Sequence, residues 1–381
     1  MLQIDHVYEF LFQELFKDFE FWHLFNGVPN TNLSNISVFT RKHHATAKIF
    51  FYDQEPVIPQ LVDPYITKFT ENKILSILVT SEKSFTVDSY QTLKKLYYFF
   101  HGFAALDWYR GYYALNYSKS IVKSYQYDFI TYNRIINDDR SYRIYFVSQL
   151  IAHKLQDQGL ISFGVTDDIF DSWQDEVADP DTKLSVNARL HAEQYLTNVN
   201  KLIIDLPQVH GSASAGIPRT INRIDYNNDT PNYESFWHVV TETVFYYDKL
   251  HLTEKIFKPI VSKQPFMLLA APGNLEYLRS YGFKTFDGII DESYDKITNN
   301  DQRIESVVKQ LAWYCGLSDS EKISIMSAVE PIVLHNFHHF YGEFKHIITQ
   351  ELITNTKALF RDIGYNDSHI DYNSIYHVLT H

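Results

Sequence analysis

Short unbroken apolar runs, each ending in polar or ionisable residues and followed by a helix-like stretch, recur along this chain and restrict it to an α/β fold. Residues 48–52 read as a buried strand ending at Asp53-Gln54-Glu55-Pro56. Residues 74–79 read as a second, ending at Thr80-Ser81-Glu82, and residues 96–100 as a third, ending at His101-Gly102. A fourth covers residues 127–132 and ends at Asn133-Arg134. Strands apolar on both faces belong to parallel sheets covered by helices on each side. Helical patterns over residues 106–115 and 142–155 supply such cover. Ligands of these sheets gather beyond the carboxyl ends of the strands.

A second alternation follows an irregular middle. Residues 236–243 read as a strand, 253–262 as a helix, 266–270 as a strand, 274–281 as a helix and 285–290 as a short strand. A long helical region then covers residues 302–314 and 318–358, with Pro331 as a kink or break. A chain of 381 residues exceeds one ordinary core, so two domains are expected. The small-residue run Gly211-Ser212-Ala213-Ser214-Ala215-Gly216 has the composition of a hinge or loop and lacks the Lys-Ser/Thr of a P-loop. The expected division is therefore residues 1–215, residues 216–345, and a helical tail over residues 346–381 that crosses back.

Charge and composition remove several function classes. A formal net charge of −12 argues against tight non-specific binding to duplex nucleic acid. The single cysteine, Cys315, excludes an internal disulfide and a cysteine-rich zinc site. Residues 1–25 carry acidic residues among apolar ones at helical spacing, which predicts an amphipathic helix rather than a signal peptide. No stretch of 18 apolar residues exists, so no transmembrane helix is expected, and the location is read as cytoplasmic.

The most informative stretch is Phe236-Trp237-His238-Val239-Val240-Thr241-Glu242, then Leu252-Thr253-Glu254-Lys255, then Gln264-Pro265-Phe266-Met267-Leu268-Leu269. Thr253 is suited to cap a helix whose first turn holds Glu254 and Lys255. A lysine is unfavourable at that end of a helix dipole, unless an anion sits there too. Free N–H groups and an ammonium together suit a diphosphate. A carboxylate at Glu254 suits the vicinal hydroxyls of a ribose. The same residues also make an ordinary surface cap.

This segment resembles the donor-binding motif of the α1,3-fucosyltransferase family, over residues 236–286. It is similar as well to the exostosin-like glycosyltransferases and to phage-encoded glycosyltransferases. The resemblance implies a GT-B fold, two Rossmann-like α/β domains facing each other across a cleft, and a nucleotide-diphosphate sugar as donor. It also implies that Glu254 binds the ribose, Lys255 the diphosphate, and Glu242 the sugar or the loop around it. Thr243 stands where the fucosyltransferases have Asn, which leaves fucose open as the donor sugar. In a viral setting the location becomes the host cytoplasm.

An inverting, metal-independent transfer needs cations for the leaving diphosphate and a base for the acceptor hydroxyl. Arg219 and Arg223, upstream of the motif, are candidates for the first task. Asp53 and Glu55 after an early strand are candidates for the second, with His101 as their rival and Glu82 as a third option. His335, His338 and His339 share one helix face but have no further ligand in the pattern, so they read as packed or solvated. No Asp-x-Asp pair follows an early strand, and neither metal nor cofactor is expected beyond the donor itself. The acceptor reads as a glycan or a hydroxymethylated base in DNA. The alternative is a catalytically silent nucleotide-sugar-binding module.

Overall fold

The computed structural model describes residues 10–15, 18–25, 28–30, 47–52, 57, 67, 74–87, 92–118, 125–133, 135–163, 172–197 and 230–375. Two parallel α/β sheets organise them. The first is five-stranded, in the order β2-β1-β3-β4-β5, from β1 (Phe19–Phe25), β2 (Val28–Asn30), β3 (Ala47–Tyr52), β4 (Leu75–Thr80) and β5 (Leu93–Tyr97). Only the β1–β2 pair is antiparallel. The second is four-stranded and wholly parallel, in the order β7-β6-β8-β9, from β6 (Tyr127–Asn133), β7 (Gly159–Phe163), β8 (Ser235–Thr241) and β9 (Phe266–Leu269). The helices are α1 (Phe100–Trp108), α2 (Tyr112–Asn116), α3 (Tyr142–Ala152), α4 (Trp173–Ala178), α5 (Val186–Leu196), α6 (Thr230–Glu234), α7 (Phe257–Val261), α8 (Asn274–Ser280), α9 (Asn300–Cys315), α10 (Asp319–Tyr341) and α11 (Glu343–Asp362).

The chain divides into two compact units, and they correct the expected boundary at residue 215. Unit 1 comprises Met1–Asp107, Lys249–His251 and Gly342–His381, and unit 2 comprises Trp108–Asp248 and Leu252–Tyr341. Strand β6, expected in the first sheet, pairs instead with β7 and β8. Apolar runs identify strands but not their partners, because pairing is decided by contacts distant in sequence. The hinge-like run at 211–216 lies outside the described residues. Helix α11, expected as a tail, belongs to unit 1 and packs on β5.

Local readings were corrected in four places. Residues 19–25, expected to be helical, form β1. The third strand is Leu93–Tyr97, shifted toward the N-terminus of the expected 96–100, and α1 begins at Phe100. Lys94 and Lys95 interrupt its apolar pattern, as lysines do on edge strands. Residues 285–290 hold a single bridge between Asp287 and Ile290 instead of a strand. The long C-terminal helix runs through Pro331 and breaks at Gly342, between α10 and α11. No helix among the described residues is long and apolar enough to cross a membrane.

The histidine face of α10 is structural. Nε2 of His335 donates to the Gly282 carbonyl (2.9 Å) and Nε2 of His339 to the Tyr281 carbonyl (2.7 Å), because a carbonyl only accepts. Both rings thereby satisfy carbonyls just past the end of α8. Gly282 has φ +91, and a Cβ there would stand 2.7 Å from the His339 ring. Gly282→Ala should therefore lower unfolding stability by more than about 1 kcal/mol, as read by urea denaturation.

Unit 2 also buries an uncharged histidine. His238, in the middle of β8, is pushed down to about 3 from 6.5 by burial and by the nearby Lys258 ammonium. The unfolded chain binds a proton in this window that the folded chain refuses, so stability falls as pH drops from 6.5 toward about 3. One such group gives a slope of up to about 1.4 kcal/mol per pH unit. Denaturation midpoints measured across that range should fall less steeply in His238→Phe.

Candidate functional site

In unit 2 the chain proceeds outward from β6 to β7 on one side and from β8 to β9 on the other. The order therefore reverses between β6 and β8, and in open parallel sheets ligands bind beyond the carboxyl ends at such a reversal. Side chains after both strands knit this edge together. Arg143, buried in α3, donates 2.8 Å bonds to the carbonyls of Ile135 and Thr241. Tyr142 donates to the Glu242 carbonyl (2.5 Å), and the Thr241 hydroxyl to the Tyr132 carbonyl (2.9 Å). Burial pushes the Tyr142 hydroxyl up from its usual range, so it stays a donor.

Glu242 follows β8 directly and is fully buried. Its carboxylate accepts from the Thr253 amide (3.1 Å), the Thr253 hydroxyl (2.6 Å) and the Thr243 amide (3.3 Å). A buried carboxylate is costly unless donors surround it, and these three bonds supply them. They fasten Thr253 to the end of β8. Of the two roles open to Glu242, sugar contact or loop support, the geometry fits the loop.

Thr253 caps the next turn, its hydroxyl accepting from the Lys255 amide. The Lys255 ammonium bonds the hydroxyls of Thr243 (3.2 Å) and Thr253 (3.1 Å) and pairs with Glu254 at 3.1 Å. Lys255 keeps 37% of its side chain exposed and Glu254 20%, so both are open to a ligand. Tyr341 donates to the Tyr109 carbonyl (2.7 Å), and the Tyr109 hydroxyl lies 3.4 Å from the Glu254 carbonyl.

The expected helix over residues 253–262 is corrected to a single 3-10 turn, Glu254–Ile256, followed by the five-residue α7. Lys263, at φ +52, ends it. So short an element has little macrodipole, and anion attraction here falls mainly to the Lys255 charge.

His101 is also corrected. It lies in the first turn of α1 rather than at a strand tip, is buried, and packs edge-on against Phe100 and His251 (5.2 and 5.1 Å). The run Tyr97-Tyr98-Phe99-Phe100 reads as a strand but joins β5 to α1. Asp53, Glu55, Arg219 and Arg223 lie outside the described residues; β3 ends at Tyr52, one residue before Asp53. Tyr142, Arg143 and Tyr109 carry no local sign of a site because their bonds to Glu242, Thr241 and Tyr341 join residues distant in sequence. Among the described residues no group of three or more His, Cys, Asp or Glu is arranged to hold a metal.

Glu82, the third base option, is committed to structure within unit 1. It is 2% exposed, pairs with Lys249 at 3.0 Å and accepts from the Val57 amide at 2.7 Å. Lys249 also donates to the Val57 carbonyl. Two open clefts of about 600 and 780 Å³ lie on unit 1 along α11, and neither is lined by a residue of the Glu242–Lys255 network.

Comparison with protein-family models, with curated proteins and with solved structures finds no match for this chain.

Removing Lys249 would leave a buried carboxylate without its cation. Lys249→Met should cost about 3–5 kcal/mol of stability. Glu82→Leu in the same chain should restore much of it, measured by denaturant unfolding of both variants.

Proposed function

We propose that the protein is a glycosyltransferase of the GT-B kind, moving a sugar from a nucleotide-diphosphate sugar to a hydroxyl acceptor with inversion and without a metal. The observation that carries this reading is the turn at the carboxyl end of β8. There Glu242 anchors Thr253 while Glu254 and Lys255 stay open to solvent. A diphosphate drawn to Lys255 would compete with Thr243, Thr253 and Glu254 for its ammonium, exchanging neutral hydroxyls for full negative charge. Release of Glu254 from that pairing would free its carboxylate for a ribose.

Negative charge develops on the leaving diphosphate in the transition state, so a fixed cation there lowers the barrier. Arg219 or Arg223 would add to Lys255. Asp53 or Glu55, next in the chain after β3, would take the proton from the acceptor hydroxyl as it attacks the anomeric carbon. The acceptor class is a glycan or a hydroxymethylated DNA base, and the setting a cytoplasm.

The test is thermal unfolding with UDP-, GDP-, TDP- and CMP-sugars. Binding to the native state should raise the midpoint for at least one of them, since saturation near 100 times Kd stabilises by about 2.7 kcal/mol. Lys255→Ala should fold normally yet lose this rise, and should slow donor hydrolysis by about 100-fold. An unchanged response in Lys255→Ala would remove the assigned role. Stabilisation without transfer or hydrolysis would leave a nucleotide-sugar-binding module.

A further inference from the structure

The two clefts on unit 1 share Glu351 and Asn355 of α11 and therefore adjoin. Their lining runs along α11 from His346 to Asp362, and at 1.5 Å per helical residue this spans about 24 Å. From these adjoining clefts we infer a binding groove for a neutral oligosaccharide. It rests on the glycosyltransferase reading only in making that oligosaccharide the acceptor chain.

Three features select the ligand. First, the groove is elongated and open, which suits a linear chain better than a compact small molecule. Second, its lining combines two characters. In one cleft Ile347 and the His346 ring, stacked on Tyr372 with centroids 5.8 Å apart, supply apolar surface. The same cleft carries the Thr354 hydroxyl and the planar amides of Gln350 and Asn355, and Asn355 continues into the second cleft. A pyranose has the matching pair of surfaces, a C–H face for rings and a hydroxyl rim for amides.

Third, the cations of the groove are already engaged. Lys83 pairs with Glu351 at 3.2 Å and Lys94 with Asp362 at 2.6 Å. Lys95 donates to the carbonyls of Lys83 (2.9 Å), Glu82 (3.5 Å) and Phe85. A nucleic acid phosphate gains its affinity from cations that exchange mobile counterions for it. Here a phosphate would have to displace fixed carboxylates, in a chain whose net charge is −12. The lining thus favours an uncharged glycan over DNA as the polymer this unit holds.

Native electrophoresis through gels containing neutral glucan, mannan, galactan or xylan reads the binding directly, with heparin and duplex DNA as polyanion arms. At least one neutral polymer should retard the wild-type chain while neither polyanion does. Thr354 is exposed and its hydroxyl accepts from the Gln350 amide (3.3 Å), so Thr354→Trp fills the cleft from the surface of the helix. That variant should weaken retardation about tenfold or more, a loss in the range of a central binding residue. Its unfolding midpoint and its stabilisation by nucleotide sugars should match wild type. Retardation by no neutral polymer, equal retardation of Thr354→Trp, or retardation by polyanions alone would each overturn the assignment. Nucleotide-sugar stabilisation, followed on the same samples, tests the donor site separately, so either site can fail while the other stands.

Discussion

The buried carboxylate of Glu242 is the constraint around which unit 2 arranges its functional edge. A charge with no exposure to water survives only where every nearby donor is aimed at it, and the amides of Thr243 and Thr253 with the Thr253 hydroxyl are so aimed. Satisfying that charge decides where the chain goes after its excursion beyond β8. It returns to the strand end at Thr253, and the next residues, Glu254 and Lys255, are carried to the same edge. The loop closes on one acidic side chain, and the partly exposed pair of Glu254 and Lys255 follows from that closure.

Arg143 and Tyr142 show how the rest of the edge is held without regular structure. Parallel strands end in carbonyls that have no ladder partner, and buried carbonyls need donors. Arg143 serves one after each of β6 and β8, and Tyr142 serves the next. These bonds span segments about a hundred residues apart in sequence, so the spacing between the strands at the order reversal is set by side chains of a third element, α3. Unit 1 uses the same device at Glu82 and Lys249, where a short visit of the chain is fixed by an ion pair and by Val57.

Much of this was readable from residues alone, and the failures have a common cause. The apolar strands over 48–52, 74–79, 127–132, 236–243 and 266–270 and the helix over 274–281 lie within a few residues of β3, β4, β6, β8, β9 and α8. Thr253 caps its turn, as a threonine before Glu-Lys suggests. Each of these depends on neighbours in sequence. The domain boundary failed because the apolar run of β6 reads the same whether it joins the first sheet or the second. Strand β5 was misplaced because its edge lysines hid it and the aromatic run beside it imitated it. His101 was misread for the same reason. The groove along α11 left no local signal, since Lys83, Tyr97 and Asn355 meet only through the fold.

Unit 1 is assembled from segments far apart in sequence, and that arrangement bears on its birth. Strand β5 is the last of its sheet, and α11, whose Asn355 amide bonds the Tyr97 carbonyl, covers it with residues 258 positions further along the chain. While the ribosome builds residues 108–341, the strand's flank has no such cover, and an uncovered flank is the surface on which sheets of different chains join. The interval is long compared with the microseconds in which a local hairpin forms. The nascent first sheet therefore depends on its edge lysines, Lys94 and Lys95, to repel neighbours until α11 is made.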